Sequence, residues 1–126
     1  KSQDMKKNEI IIKDTNVLRG LMERNYAPLL ITIICEIIDN FGIRMSESWR
    51  EKKHPNDLHG TNPVRAIDIS EWVYNPGQAK DIEKWINRNW AYDPNRPGMN
   101  VAWLHKAKGG VLHFHIQVHQ NTRRRI

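Results

Sequence analysis

Within Val111 to His119, polar and apolar residues alternate without a break from Leu112 onward. His113, His115, Gln117 and His119 stand at one parity, and Leu112, Phe114, Ile116 and Val118 at the other. That period belongs to a half-buried β-strand, so the histidines share one face and the apolar set can pack on a core. A helical period dominates earlier in the chain. A first helix is predicted from Asp14 or Thr15 through Val17, Leu18, Leu21 and Met22. Pro28 suits the first turn of a second helix, in which Leu29, Leu30, Ile33, Ile34, Ile37 and Ile38 form a broad apolar stripe. Gly42 is placed to cap its C-terminus.

Alternation returns at Ile43 to Trp49, with Ile43, Met45, Glu47 and Trp49 on one predicted face and Arg44, Ser46, Ser48 and Arg50 on the other. Glu51 to Pro63 is polar and rich in Pro, Gly and Asn, the composition of a loop. Arg65 to Ser70 predicts a short strand, with Ala66, Asp68 and Ser70 opposite Ile67 and Ile69. A turn is expected at Pro76-Gly77, then an amphipathic helix over Gln78 to Trp90 carrying Ile82, Trp85 and Ile86. Asp93 to Gly98 reads as a polar loop, Met99 to His105 as a strand, and Lys108-Gly109-Gly110 as the turn into the last strand. Helices first, then strands with one inserted helix, indicate an α+β domain with an antiparallel sheet of about four strands.

The 126 residues, 39% of them hydrophobic, suit a single domain with one core. Residues 1–8 and 120–126 read as basic tails. The longest apolar run, Ala27 to Ile38, is too short and too polar to span a membrane. No secretory signal pattern is visible. One cysteine, Cys35, excludes an intrachain disulfide, and its isoleucine neighbours predict a buried thiol. The net charge of +6 favours anionic partners such as nucleic acid, a membrane surface or a cell-wall polymer.

The candidate chemistry is carried by Arg50, by the pair His59 and Asp68, and by the histidines of the last strand. Imidazole and carboxylate together suit zinc, whose catalytic sites use three protein ligands and leave one position open. Asp68, a carboxylate between Ile67 and Ile69, needs a partner; Arg65 at a strand edge is one, and a metal is a good one. His54, His105 and His119 are read as surface or loop residues. Trp72, Trp85 and Trp90 are read as packing residues, while Trp103 and Tyr92 could line a cleft.

Three segments, Glu47-Ser48-Trp49-Arg50, His59 through Ala66-Ile67-Asp68, and His113-Phe114-His115, resemble the signature of zinc peptidases that share the D-Ala-D-Ala carboxypeptidase, Hedgehog and lysostaphin fold. The resemblance covers Ala27 to His119 and lies closest to the H-x-H branch of murein endopeptidases and phage endolysins. It implies that His59, Asp68 and His115 bind zinc, that His113 is the catalytic base, and that Arg50 and Ser48 meet the substrate. His113 and His115 stand roughly 6–7 Å apart along a strand, close enough for His113 to assist proton transfer. The spacing from His59 to Asp68 is two residues longer than in the family motif, which a bulge in Gly60-Thr61-Asn62-Pro63 would absorb. Val64 stands where the motif has glycine, and Glu47 where it has serine.

The implied activity is hydrolysis of an amide bond in bacterial peptidoglycan by a monomer acting on the wall peptide. Two other readings compete. One is a module of the same fold that binds metal or cell wall without turnover. The other is a metal-dependent nuclease, which the chain supports only through charge and histidines, since the clustered acids that hold Mg²⁺ beside a phosphate are missing.

Overall fold

A computed structural model describes residues 5–106 and 109–126. Its elements are β1 (Ile10–Ile12), α1 (Thr15–Glu23), α2 (Pro28–Phe41), β2 (Ile43–Glu47), β3 (Ala66–Ser70), α3 (Pro76–Asn89), β4 (Trp90–Ala91), β5 (Ala102–Lys106), β6 (Leu112–Gln117) and β7 (Arg123–Arg124). The chain is mixed α and β, with a mostly antiparallel five-stranded sheet in the order β1-β2-β3-β6-β5. Only β1 and β2 run parallel within it.

The helices begin and end where their side chains dictate. Asp14 caps α1 by accepting from Val17 N. Pro28 opens α2, and Gly42 closes it by donating its N–H to Ile38 O at 2.9 Å. Gly42 sits at φ +74°, and a Cβ there would lie 2.2 Å from Lys6 O, so both conformation and space demand glycine. The turn expected at Pro76-Gly77 is instead the first turn of α3, because Asn75 caps it through Gln78 N and Pro76 fits the N1 position.

The core is one cluster on one side of the sheet. Leu30, Ile33, Ile34 and Ile37 of α2 and Ala79, Ile82 and Ile86 of α3 join Met45, Ile67, Ile69, Phe114 and Ile116. Register fixes this side: Met45 pairs with Ile69, Ile69 with Phe114, and Ile67 with Ile116. The opposite side therefore collects the alternate residues, which pair as Asp68 with His115 and Ser70 with His113. The outer edge of β5 is closed by α3, where Asn87 bonds both N–H and C=O of Ala102 and Glu83 accepts from Leu104 N.

Several expectations need correction. Glu47 does not share a face with Met45. A bulge shifts the register so that Met45 opposes Ile69 while Glu47 opposes Asp68, which turns Glu47 to the polar side. Cys35 is exposed, because the turn of α2 that buries Ile33, Ile34 and Ile37 points position 35 outward. Trp72 is 48% exposed and lies under the Arg44 guanidinium. The segment read as an N-terminal tail contributes Met5 to the core and leads into β1. Of the terminal arginines, Arg123 and Arg124 form a short ribbon with Trp90 and Ala91, and Arg124 pairs with Glu36 and lies over the Trp90 ring. Lys108 of the expected turn lies outside the described residues. No helix among the described residues is long and apolar enough to cross a membrane.

Candidate metal centre

Three elements deliver the candidate ligands. Asp68 is the middle residue of β3, and His115 faces it from β6. His59 comes from the long loop after β2, within a 3-10 turn over Leu58–Gly60. That loop is held by Asp57, whose carboxylate accepts from Lys53 N, His59 N and the Arg50 guanidinium. Burial pushes the Asp57 carboxyl up, but those N–H bonds and the charge of Arg50 outweigh it and hold it below the usual range. Gly60 completes the seat, since a Cβ there would lie 2.8 Å from Lys52 N and 2.9 Å from Arg50 O.

The ligand atoms converge. His59 Nε2 and His115 Nδ1 each stand 3.1 Å from the same oxygen, Asp68 Oδ1. All three donor atoms lie within 4.8 Å of one another. Zinc bonds of about 2.0–2.2 Å in tetrahedral array would set neighbouring ligand atoms roughly 3.3–3.5 Å apart, close to the two 3.1 Å separations from Asp68 Oδ1.

The far side of each ring decides what its near side offers. His59 Nδ1 lies 2.9 Å from Ser48 O, a carbonyl that can only accept, so Nδ1 carries the proton. His115 Nε2 lies 3.2 Å from Gln117 Oε1. The Gln117 amide is oriented by its own Nε2, which donates to Asn100 O at 2.9 Å. In their neutral forms both rings therefore turn a bare lone pair toward a carboxylate oxygen. Such a meeting of three acceptors requires a positive particle among them, either two further protons or one cation. Burial raises the Asp68 carboxyl, yet when His115 and His59 carry those further protons their hydrogen bonds and charges prevail and keep it well below the ordinary range. Asp68 is therefore an anion at neutral pH, as a ligand must be.

The neighbours complete an open cleft of about 990 Å³. His113 Nε2 is 3.7 Å from Asp68 Oδ2, and its Nδ1 faces Val111 O at 2.9 Å. His105, expected as a surface residue, belongs to the cleft, opposite His113 in register with ring centroids 4.7 Å apart. Burial lowers the pKa of His105, and the charges of His113 and His115 lower it further. Trp103 and Tyr92 line the cleft as anticipated. His119 also lines the cleft but stays apart from the cluster, its ring tilted 50° against Tyr92 and 3.8 Å from Asp93.

Arg50 lines the cleft, with its terminal nitrogens committed to Glu47 and Asp57 at 3.3 Å. Ser48 does not meet the cleft. It is fully buried and its Oγ donates to Val17 O, so its side chain braces α1 while its carbonyl orients His59. Reading the sequence missed Asp57, Gln117 and His105. Asp57 had a local signal, two residues before His59 and at the cap of its turn.

No protein-family model matches the chain, and neither a curated protein nor a solved structure matches it.

Proposed function

We propose that this protein is a zinc-dependent peptidase that hydrolyses an amide bond in bacterial peptidoglycan. One observation carries the metal part of this reading. Two imidazole nitrogens, each left bare by an acceptor behind its ring, meet one half-buried carboxylate oxygen. His59, Asp68 and His115 would hold the ion. Zinc bound there supplies Lewis acidity toward water and toward the amide carbonyl.

The chain's own groups suit the remaining steps. The His113 Nδ1–H donates to Val111 O, which leaves Nε2 on the cleft side to take a proton from water and return it to the leaving amine. Arg50 lies at the cleft wall, where its charge favours a substrate oxygen. Lys52, Lys53 and Arg65 also line the cleft, as does Arg96, which is paired with Asp93, whereas the acids Glu47, Asp57 and Asp68 there already have cationic or imidazole partners. The surplus favours an anionic substrate, and wall peptides carry free carboxylates. The three-segment resemblance gives the substrate class.

The pairing of Arg50 with two carboxylates favours a second reading, a metal-binding module of this fold without turnover. Clearing of a purified cell-wall suspension separates the two. The peptidase reading expects clearing that chelation abolishes and zinc restores, with His113→Ala inactive. Zinc binding without any clearing by the wild type selects the module, and full clearing by His113→Ala removes His113 as the base.

A further inference from the structure

We propose that Gln117 is a positioning residue of the metal centre: it selects Nδ1 of His115 as the ligand atom and ties that ring to the entry of β5. This rests on the metal reading above. Gln117 follows His115 by two residues on β6 and shares its face. Its Oε1 accepts from His115 Nε2 at 3.2 Å, its Nε2 donates to Asn100 O at 2.9 Å, and its backbone N–H donates to Val101 O at 2.9 Å. The residue is buried, 7% exposed.

This amide cannot turn over cheaply. A flip would set its NH₂ against the His115 N–H and its oxygen against Asn100 O, replacing two bonds by two like pairs. With a cation at Nδ1 the ring behind it is held accordingly, with its proton on Nε2 toward Gln117. His59 is held by a different device. Its tautomer is set by a main-chain carbonyl, Ser48 O, which no side-chain replacement removes. Of the two imidazole ligands, only His115 owes its tautomer to an exchangeable side chain. Partners of this kind typically change metal affinity by about 10–100-fold.

The same side chain joins the centre to the cleft wall. Asn100 and Val101 lead directly into β5, which carries Trp103 and His105. Gln117 grips both residues, so the orientation of a ligand and the start of that wall are set by one amide.

Zinc titration of the wild type, Gln117→Leu and Gln117→Glu, with ¹H–¹⁵N spectra of the histidine rings, tests this. Gln117→Leu removes the acceptor, and Gln117→Glu retains one at the same place. The expected result is zinc affinity weakened about 10–100-fold in Gln117→Leu and recovered only in part in Gln117→Glu, which keeps the acceptor for His115 and loses the bond to Asn100 O. In the zinc-loaded wild type the His115 proton should sit on Nε2, and in Gln117→Leu that proton should lose its fixed partner and exchange faster. Unchanged zinc affinity in a folded Gln117→Leu would overturn the proposal and leave the metal centre standing. A wild type that binds no zinc sinks the metal centre itself. A zinc-loaded wild-type spectrum with the His115 proton on Nδ1 overturns the role of Gln117 even if the variants fail to fold.

Discussion

The two faces of the central sheet are made by the same strands and obey different rules. On β3 and β6, Ile67, Ile69, Phe114 and Ile116 pack against α2 and α3, and interleaved with them Asp68, His113, His115 and Gln117 face the cleft. The apolar face is held by non-directional burial, which asks for volume and accepts substitutes of similar size. The polar face is held by bonds with direction, each fixing the proton of the next: Ser48 O to His59, Asn100 O to Gln117, Gln117 to His115, and both rings to Asp68. Stability should therefore be concentrated on one side and metal binding on the other, one residue apart.

The sharpest way to break this comparison is to remove one residue from each side. Phe114→Ala should cost about 3–5 kcal/mol, read by chemical denaturation, because Phe114 is buried against Tyr74. Asp68→Ala should instead abolish zinc binding, read by titration, while the cooperative unfolding transition survives. A smaller effect should touch both sides. Gly60→Ala forces the loop that carries His59 away from Arg50 and Lys52, with an expected cost of about 1–3 kcal/mol and weaker zinc binding. Ile67→Val, by contrast, should lose only about 0.5–1.5 kcal/mol and leave zinc affinity unchanged, although Ile67 directly precedes Asp68.

The smallest effect lies away from both faces. Burial raises the Glu36 carboxyl, but hydrogen bonds from Arg124 and Trp90 and the charge of Arg124 bring it below its ordinary value. A depressed carboxyl stabilises the fold above its unfolded pKa, and that contribution disappears as pH falls through the folded value. Denaturation as a function of pH should show this loss below about pH 4.5, and Arg124→Ala should reduce it. Because the pair is half exposed, the increment should be no more than about 1 kcal/mol.

Much of this division was legible along the chain, since alternation needs no knowledge of neighbours. The strands around Asp68 and His115, the helix carrying Ile33 and Ile37, and the cap at Gly42 all stand where local pattern put them. What could not be read locally depends on pairing. The bulge that turns Glu47 into the cleft exists only relative to β3, and His105 reaches the site only because β5 aligns it with His113. Ser48 was misjudged because its parity says nothing of α1, which approaches closely and takes its hydroxyl. Gln117 was legible in position and not in role, because the bond that orients it comes from Asn100, seventeen residues away in sequence.

The central claim is that His59, Asp68 and His115 share one cation through Nε2, a carboxylate oxygen and Nδ1. A crystal structure of the zinc-treated protein with anomalous data at the zinc edge tests it directly. The account predicts one strong anomalous peak bonded to those three atoms, with Gln117 Oε1 still on His115 Nε2. A peak elsewhere, or none between the three residues, would contradict it.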